Sequence, residues 1–324
     1  MTDSEPVKKY EPEKTHKRKF SLQNVKKGVI LKYSYKSKMG MIPGNPGKVN
    51  QDSYIAVSNI GGNPNLHFYA VCDGHGFFGR DVSTFIKKVL PQILENDRNL
   101  QTNPRKALNN AILRVSQELA YSDIDINFSG TTLISVLIKG TTMWCANVGD
   151  SRALIARQVI DPNKPENTGR HWMSIALSRD HKPDEPDESQ RIMQCGGRIE
   201  AYQDDQGNPL GPARVWLRQQ DLPGLAMSRS IGDAVANSVG VIPEPEILEF
   251  QLKPEDKFIV LGSDGVFEFI TNEEAVKIVV PYWKMDDVEG ACAGLEKEAN
   301  LRWTKEEEVI DDITSVVLFL DVHK

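Results

Sequence analysis

Val71-Cys72-Asp73-Gly74-His75-Gly76, entered from the apolar run Leu66-His67-Phe68-Tyr69-Ala70, is the stretch on which the reading of this chain turns. The apolar part has strand character. It ends in a carboxylate, a glycine and a histidine. A carboxylate suits a hard cation, and glycine lets the backbone turn and brings its carbonyl close to such an ion. Histidine gives up a proton near neutral pH. Asp-Gly is also an ordinary turn. The functional reading gains weight because aspartates recur at the ends or edges of other apolar runs: Asp52, Asp150, Asp264 and Asp311.

The 324 residues are 40% hydrophobic and 26% charged, ordinary for a soluble globular protein with a buried core. No apolar run is long enough to span a membrane. The start lacks the layout of a signal peptide and the second-position glycine of a myristoylation site. Cys72, Cys145, Cys195 and Cys292 lie far apart, with no pair at metal-ligand spacing. Reduced thiols in a cytoplasmic or nuclear protein are expected. Charge is uneven: residues 1–48 carry a net +8 and the remainder a net −14. An acidic body is a poor match for nucleic acid and a good one for bound cations.

Residues 1–28 are polar, basic and poor in aliphatics, and are expected to form a flexible arm. Lys17-Arg18-Lys19 reads as solvated tail or docking patch. The folded part, 29–324, opens with a strand from Val29. Apolar residues at helical spacing predict helices over Val82–Leu94 and 104–121. Strands over Leu133–Ile138, Met143–Val148 and Arg152–Gln158 suggest an antiparallel meander. A polar loop is expected at 159–171, a short helix at Glu188–Gln194, and a long irregular excursion at 200–223. A buried strand, Phe258–Gly262, two helices near 272–281 and 287–303, and a last strand, Ile313–Val322, complete the chain. One catalytic domain is expected, and nothing demands more than a monomer.

Two apolar runs end in Asp-Gly, at Asp73-Gly74 and Asp264-Gly265, and a third is preceded by Asp311. Brought to one edge, three carboxylates and a glycine carbonyl would need a compensating cation. All-oxygen ligands favour Mg²⁺ or Mn²⁺ over zinc, and such a pair activates water against a phosphoryl group. No activated serine or cysteine is evident; Cys72 reads as an inert buried thiol.

Nine motifs in order then resemble the metal-dependent protein serine/threonine phosphatases of type 2C. They are Asn50-Gln51-Asp52, Asp73-Gly74-His75-Gly76, Ser129-Gly130-Thr131-Thr132, Asn147 to Ala153, Asp180-His181-Lys182-Pro183, Gly196-Gly197-Arg198, Leu225 to Asp233, Ser263-Asp264-Gly265 and Asp311 to Thr314. The resemblance implies an α+β fold, a four-layer αββα sandwich of two antiparallel sheets, with a dinuclear site at one end. It implies Asp73 bridging two Mg²⁺ or Mn²⁺ ions, the Gly74 carbonyl on one, and Asp264 and Asp311 on the other. Asp52 would hold metal-bound water, Asp150 would help a third ion, and His75 would protonate the leaving alkoxide. Phosphoserine and phosphothreonine proteins would be hydrolysed by direct attack of a bridging water, with no covalent phosphoenzyme. Residues 184–222 correspond to the family's flap. Asp312 stands where many members have Asn. No arginine lies between Arg18 and Arg80, where some members hold substrate phosphate, so Lys48 is the candidate there, a solvated lysine being the other reading. His181, Arg229, Asp233 and the tryptophans are expected to be structural. An inactive phosphoprotein-binding scaffold is the rival of another class. A two-metal nuclease is the rival enzyme, disfavoured by the acidic body.

Overall fold

A computed structural model describes residues 29–160 and 169–322. The expected arm at 1–28, with Lys17-Arg18-Lys19, and residues 161–168 lie outside the described residues.

In chain order the strands are β1 (Ile30–Lys38), β2 (Ser53–Ser58), β3 (Leu66–Cys72), β4 (Gly74–His75), β5 (Gly130–Thr131), β6 (Leu133–Lys139), β7 (Thr142–Val148), β8 (Arg152–Ile160), β9 (Arg170–Ala176), β10 (Gly197–Gln203), β11 (Pro209–Leu217), β12 (Pro223–Leu225), β13 (Ile231–Gly232), β14 (Glu246–Gln251), β15 (Asp256–Gly262) and β16 (Ile313–Leu320). The helices are α1 (Gly79–Glu95), α2 (Pro104–Ala120), α3 (Pro186–Gln194), α4 (Ala234–Asn237), α5 (Asp264–Phe267), α6 (Asn272–Lys284) and α7 (Val288–Glu306). Two five-stranded antiparallel sheets, ordered β1-β16-β15-β8-β9 and β14-β7-β6-β3-β2, form the centre.

Every residue of β3 is buried because both faces of its sheet are covered. Tyr69 and Val71 point between the sheets, where they meet Ile155, Ile259, Leu261, Val316 and Leu318. Phe68, Ala70 and Cys72 point the other way, onto Val82, Ile86 and Leu90 of α1 and Leu108 and Ile112 of α2. The same alternation sends Phe258, Val260, Val317 and Phe319 of the other sheet onto α6 and α7. Three apolar interfaces therefore separate four layers, α-β-β-α. Among the described residues no helix is long and apolar enough to cross a membrane.

Two segments differ from the reading by pattern. β9 begins inside the stretch expected to be loop. It is a half-exposed edge strand rich in polar residues, so its alternation is muted, and Trp172 anchors it on Phe258 with ring centroids 5.6 Å apart. The excursion at 200–223 is not irregular: β10, β11 and β12 form a three-stranded antiparallel sheet beside α3. This unit has its own small core of Ile192, Val215, Leu225, Met227, Val239 and Val241. Trp216 fixes it, donating from Nε1 to the Glu200 carbonyl at 2.9 Å.

Glu188 ties the flap to the body. Its fully buried carboxylate accepts from Arg191 (2.7 Å), Arg229 (2.6 Å) and Ser228 (2.6 Å). Burial opposes its charge, yet these donors hold its pKa down at about 2. Arg229 is thus paired with Glu188 and not with Asp233. Glu188→Ala leaves two guanidinium groups without their shared counter-ion. It should cost about 3 kcal/mol, read from urea unfolding at pH 7. The contribution is complete above the ordinary glutamate range and fades as pH falls from about 4.5 towards 2. An unchanged unfolding midpoint would refute it.

Candidate active site

The strand registers bring the separated aspartates to one end of the sandwich. Ser53 faces Cys72, so Asp52 before β2 and Asp73 after β3 are neighbours. Gly262 faces both Ser315 and Arg152, which gathers Asp264, Asp311 and Asp150 beyond the same ends of the second sheet. Asp150 lies in the turn between β7 and β8, where the chain passes from one sheet to the other.

Each carboxylate sits on a pinned backbone. The Asp73 amide donates to Thr132 Oγ1 (3.0 Å), and its carbonyl accepts from the Thr132 amide (2.9 Å) and Thr131 Oγ1 (3.0 Å). That clamp is the local purpose of the Ser-Gly-Thr-Thr motif. Gly74 is demanded by crowding: a Cβ there would lie 2.3 Å from the Gly79 carbonyl oxygen and 2.6 Å from that of Gln51. Behind Asp264, Trp303 donates from Nε1 to the Gly265 carbonyl at 2.8 Å. Ser263 Oγ donates to Asp52 Oδ2 at 3.0 Å.

Burial pushes the Asp73 carboxyl well above the usual carboxylate range, and Asp264, Asp52 and Asp311 add to the rise. Asp264 is raised to about 7, first by burial and then by Asp311 and Asp150. Asp52 and Asp311 are raised too, burial again leading. The registers and these mutual charge effects place Asp73, Asp264 and Asp311 near one another at this end of the sandwich. Among the described residues, no three acidic, histidine or cysteine side chains close tightly enough on a common point to make a finished ligand set. The donor chemistry nonetheless fits divalent cations. Asp52 Oδ1, Asp150 Oδ1 and Asp264 Oδ1 are buried oxygens without a hydrogen-bond partner. Crowded, all-oxygen and anionic, the pocket matches a hard ion such as Mg²⁺ or Mn²⁺.

Two lysines are already engaged. Lys48 pairs with Asp312 at 2.5 Å and is largely buried. The candidate for substrate phosphate is thus an ion-paired lysine and not a solvated one. Asp312 also accepts from the amides of Gly40 (2.7 Å) and Gln51 (2.8 Å), so it faces away from the pocket while Asp311 faces in. Lys182 donates to Asp150 Oδ2 at 2.5 Å; burial lowers its pKa, but the charge and hydrogen bond of Asp150, with Asp264 and Glu268, raise it on balance. The Asp180-His181-Lys182-Pro183 motif delivers it. Arg152 grips Asp180 with two bonds (3.0 and 2.6 Å), while the His181 ring accepts from the Gly149 amide at 3.1 Å.

His75 has a partner that the pattern reading missed. Its Nε2 lies 2.6 Å from Asp233 Oδ2, and its Nδ1 is buried without a partner. Burial alone would lower its pKa, but the charge and hydrogen bond of Asp233, with Asp150 and Asp264, raise it on balance. A small sheet makes the pairing, since β5 lies between β4 and β13. Gly130 makes room: a Cβ there would stand 2.2 Å from Asp233 Oδ2. The adjacent Ser228-Arg229-Ser230-Ile231-Gly232-Asp233 run was the available signal, an aspartate closing a glycine turn. Sequence distance hid its partner.

Comparison with known proteins agrees with this arrangement. The family model described as "Protein phosphatase 2C" matches residues 48–306. Probable protein phosphatase 2C 35 of Arabidopsis thaliana is 38% identical over 300 residues, covering 88% of this chain and 83% of the relative. Probable protein phosphatase 2C 64 of Oryza sativa subsp. japonica is 34% identical over 282 residues, covering 84% of this chain and 63% of the relative. Among solved structures, the serine-threonine phosphatase 2C from Toxoplasma gondii superposes with a TM-score of 0.75 at 17% identity, covering 91% of this chain and 98% of that one. A C. elegans sex determining protein superposes with a TM-score of 0.70 at 17% identity, covering 90% and 65%. The chain belongs to the protein phosphatase 2C family.

Proposed function

We propose that this chain, a protein serine/threonine phosphatase by its family, hydrolyses phosphoserine and phosphothreonine by direct attack of water, without a covalent phosphoenzyme. The observation that carries the reading is the strand register that brings Asp73, Asp264 and Asp311 to one end of the sandwich, with their mutual charge effects and that of Asp264 on His75. Asp73, the Gly74 carbonyl, Asp264 and Asp311 would hold two Mg²⁺ or Mn²⁺ ions, and Asp150 a third. Bound there, the ions supply the positive charge that neutralises the carboxylates, polarises the phosphoryl group and acidifies the attacking water.

The remaining roles belong to the chain itself. Asp52, held by Ser263 and with Oδ1 free, can accept a hydrogen bond from that water and orient it. His75 is fixed at Nε2 by Asp233, which leaves Nδ1 to protonate the departing serine or threonine oxygen. Cys72 does not compete as a nucleophile: it is fully buried, its thiol pushed up to about 12 by burial and by Asp52.

The test is a metal titration on a phosphothreonine peptide. Turnover should appear with Mn²⁺ or Mg²⁺ and vanish in excess EDTA. Turnover indifferent to EDTA would refute the ligand assignment, and metal binding without any turnover would favour a phosphoprotein-binding scaffold instead. A cytoplasmic or nuclear site of action and a monomeric state are part of the same proposal.

A further inference from the structure

We propose that Phe77 forms an apolar subsite selecting phosphopeptides with a large apolar residue next to the phosphorylated one. The inference rests on the phosphatase reading above. Phe77 follows His75 by two residues, yet its side chain is 87% exposed. The loop that carries it is fixed. Gln51 donates from Nε2 to the Gly76 carbonyl at 2.6 Å, and the Phe78 amide donates to Ser129 Oγ at 3.0 Å. Gly76 holds a φ of +82°, and a Cβ there would strike the Phe128 carbonyl oxygen at 2.0 Å. Backbone order combined with a ring that only leans edge-on against Phe78, centroids 4.8 Å apart, means the fold presents Phe77 to solvent.

The ring has apolar company on the segments that hold its loop. Phe128, whose carbonyl crowds Gly76, is itself exposed, as is Val49, two residues before Gln51. One exposed apolar residue needs no explanation, but exposed apolar residues on three segments tied together beside His75 form a rim that marks a contact surface. The reaction itself names the occupant. A phosphate seated against Asp73 and His75 fixes the phosphoresidue, so the flanking residues of that peptide must cross this rim. An apolar neighbour would shed water against Phe77, whereas an acidic one would face the field of the carboxylate pocket.

The test compares two phosphothreonine peptides, one with leucine on both sides of the phosphoresidue and one with alanine. With Mn²⁺ present, kcat/KM should favour the leucine peptide by about tenfold, the value of one apolar side chain. Phe77→Ala should bring the ratio close to unity, and Phe77→Leu should restore most of it. Equal rates in the wild type, a ratio that survives Phe77→Ala, or an equal loss on both peptides would overturn the assignment. No metal-dependent turnover of either peptide would instead bring down the phosphatase reading on which it rests.

Discussion

Asp264→Ala is expected to lower metal-supported turnover of a phosphopeptide by about three orders of magnitude, equivalent to roughly 4 kcal/mol of transition-state stabilisation. Asp264 contributes a partly buried carboxylate with one buried oxygen unpartnered, its charge opposed by Asp311 and Asp150. Such a group is a poor structural element, because it brings more like charge into a crowded site than the surrounding donors offset. The same mutation should therefore separate function from stability. In EDTA, Asp264→Asn should melt no lower than the wild type, and a few degrees higher if relief of repulsion dominates. Isothermal titration with Mn²⁺ should show weakened binding in both variants. A variant that loses stability but keeps turnover would reverse the argument, making Asp264 part of the scaffold and not of the chemistry.

The contrast with Asp256 shows why position matters more than residue type. Asp256 is fully buried, more deeply than Asp264, yet both its oxygens are occupied, by Arg157 Nε at 2.7 Å and Nη2 at 3.1 Å. Asp180 and Glu188 are likewise answered by arginines. Around the pocket the answering cations are few: Lys182 meets Asp150, Lys48 meets Asp312, and Asp73, Asp264 and Asp52 have none paired to them among the described residues. The protein has arginine to pair its structural carboxylates and leaves this cluster without it, as a site that takes its positive charge from solution requires.

Much of this was legible beforehand because the relevant signals are local. Asp-Gly after a buried strand, twice, marks two strand ends, and the nearly unbroken apolar run of β3 marks a strand covered on both faces. The β6-β7 hairpin follows from the turn at Gly140-Thr141, but the expected third strand of that meander, β8, crosses at Gly149-Asp150 into the other sheet, where it pairs with β15. What was not legible depends on contacts between distant segments. Asp233 is 158 residues from His75, and their meeting depends on β5 bridging two-residue strands too short to carry a pattern. Lys182 reads as turn chemistry until Gly149 and His181 are seen to dock. The ion pair of Lys48 was not legible because nothing local reveals that Asp312 turns towards it. Strands β10 and β11 were missed because they are largely exposed and interrupted by glycine and proline, with few buried apolar positions to carry a pattern.

The Asp233 contact yields the second large expectation. A general acid contributes about 10²–10⁴-fold when the leaving group is a poor one. His75→Ala should lower hydrolysis of a phosphothreonine peptide by about that factor, and should lower hydrolysis of an aryl phosphate far less, since a phenolate departs with little help. Asp233→Asn should reproduce the pattern in weaker form. Burial works against a charged His75, and the Asp233 carboxylate is the main force holding the proton there, with Nε2 as its point of attachment. Asparagine removes the charge while keeping the shape, so the ring loses its bias towards the imidazolium even if it stays in place. Gly130→Ala tests the same link by geometry, because its methyl would displace Asp233 from a position 2.2 Å away. A positioning defect transmitted through His75 makes all three variants selective for the peptide substrate. If His75 and Asp233 only brace the loop that carries Asp73, all three would instead depress both substrates together and weaken Mn²⁺ binding, and the proton-donor role would have to be given up.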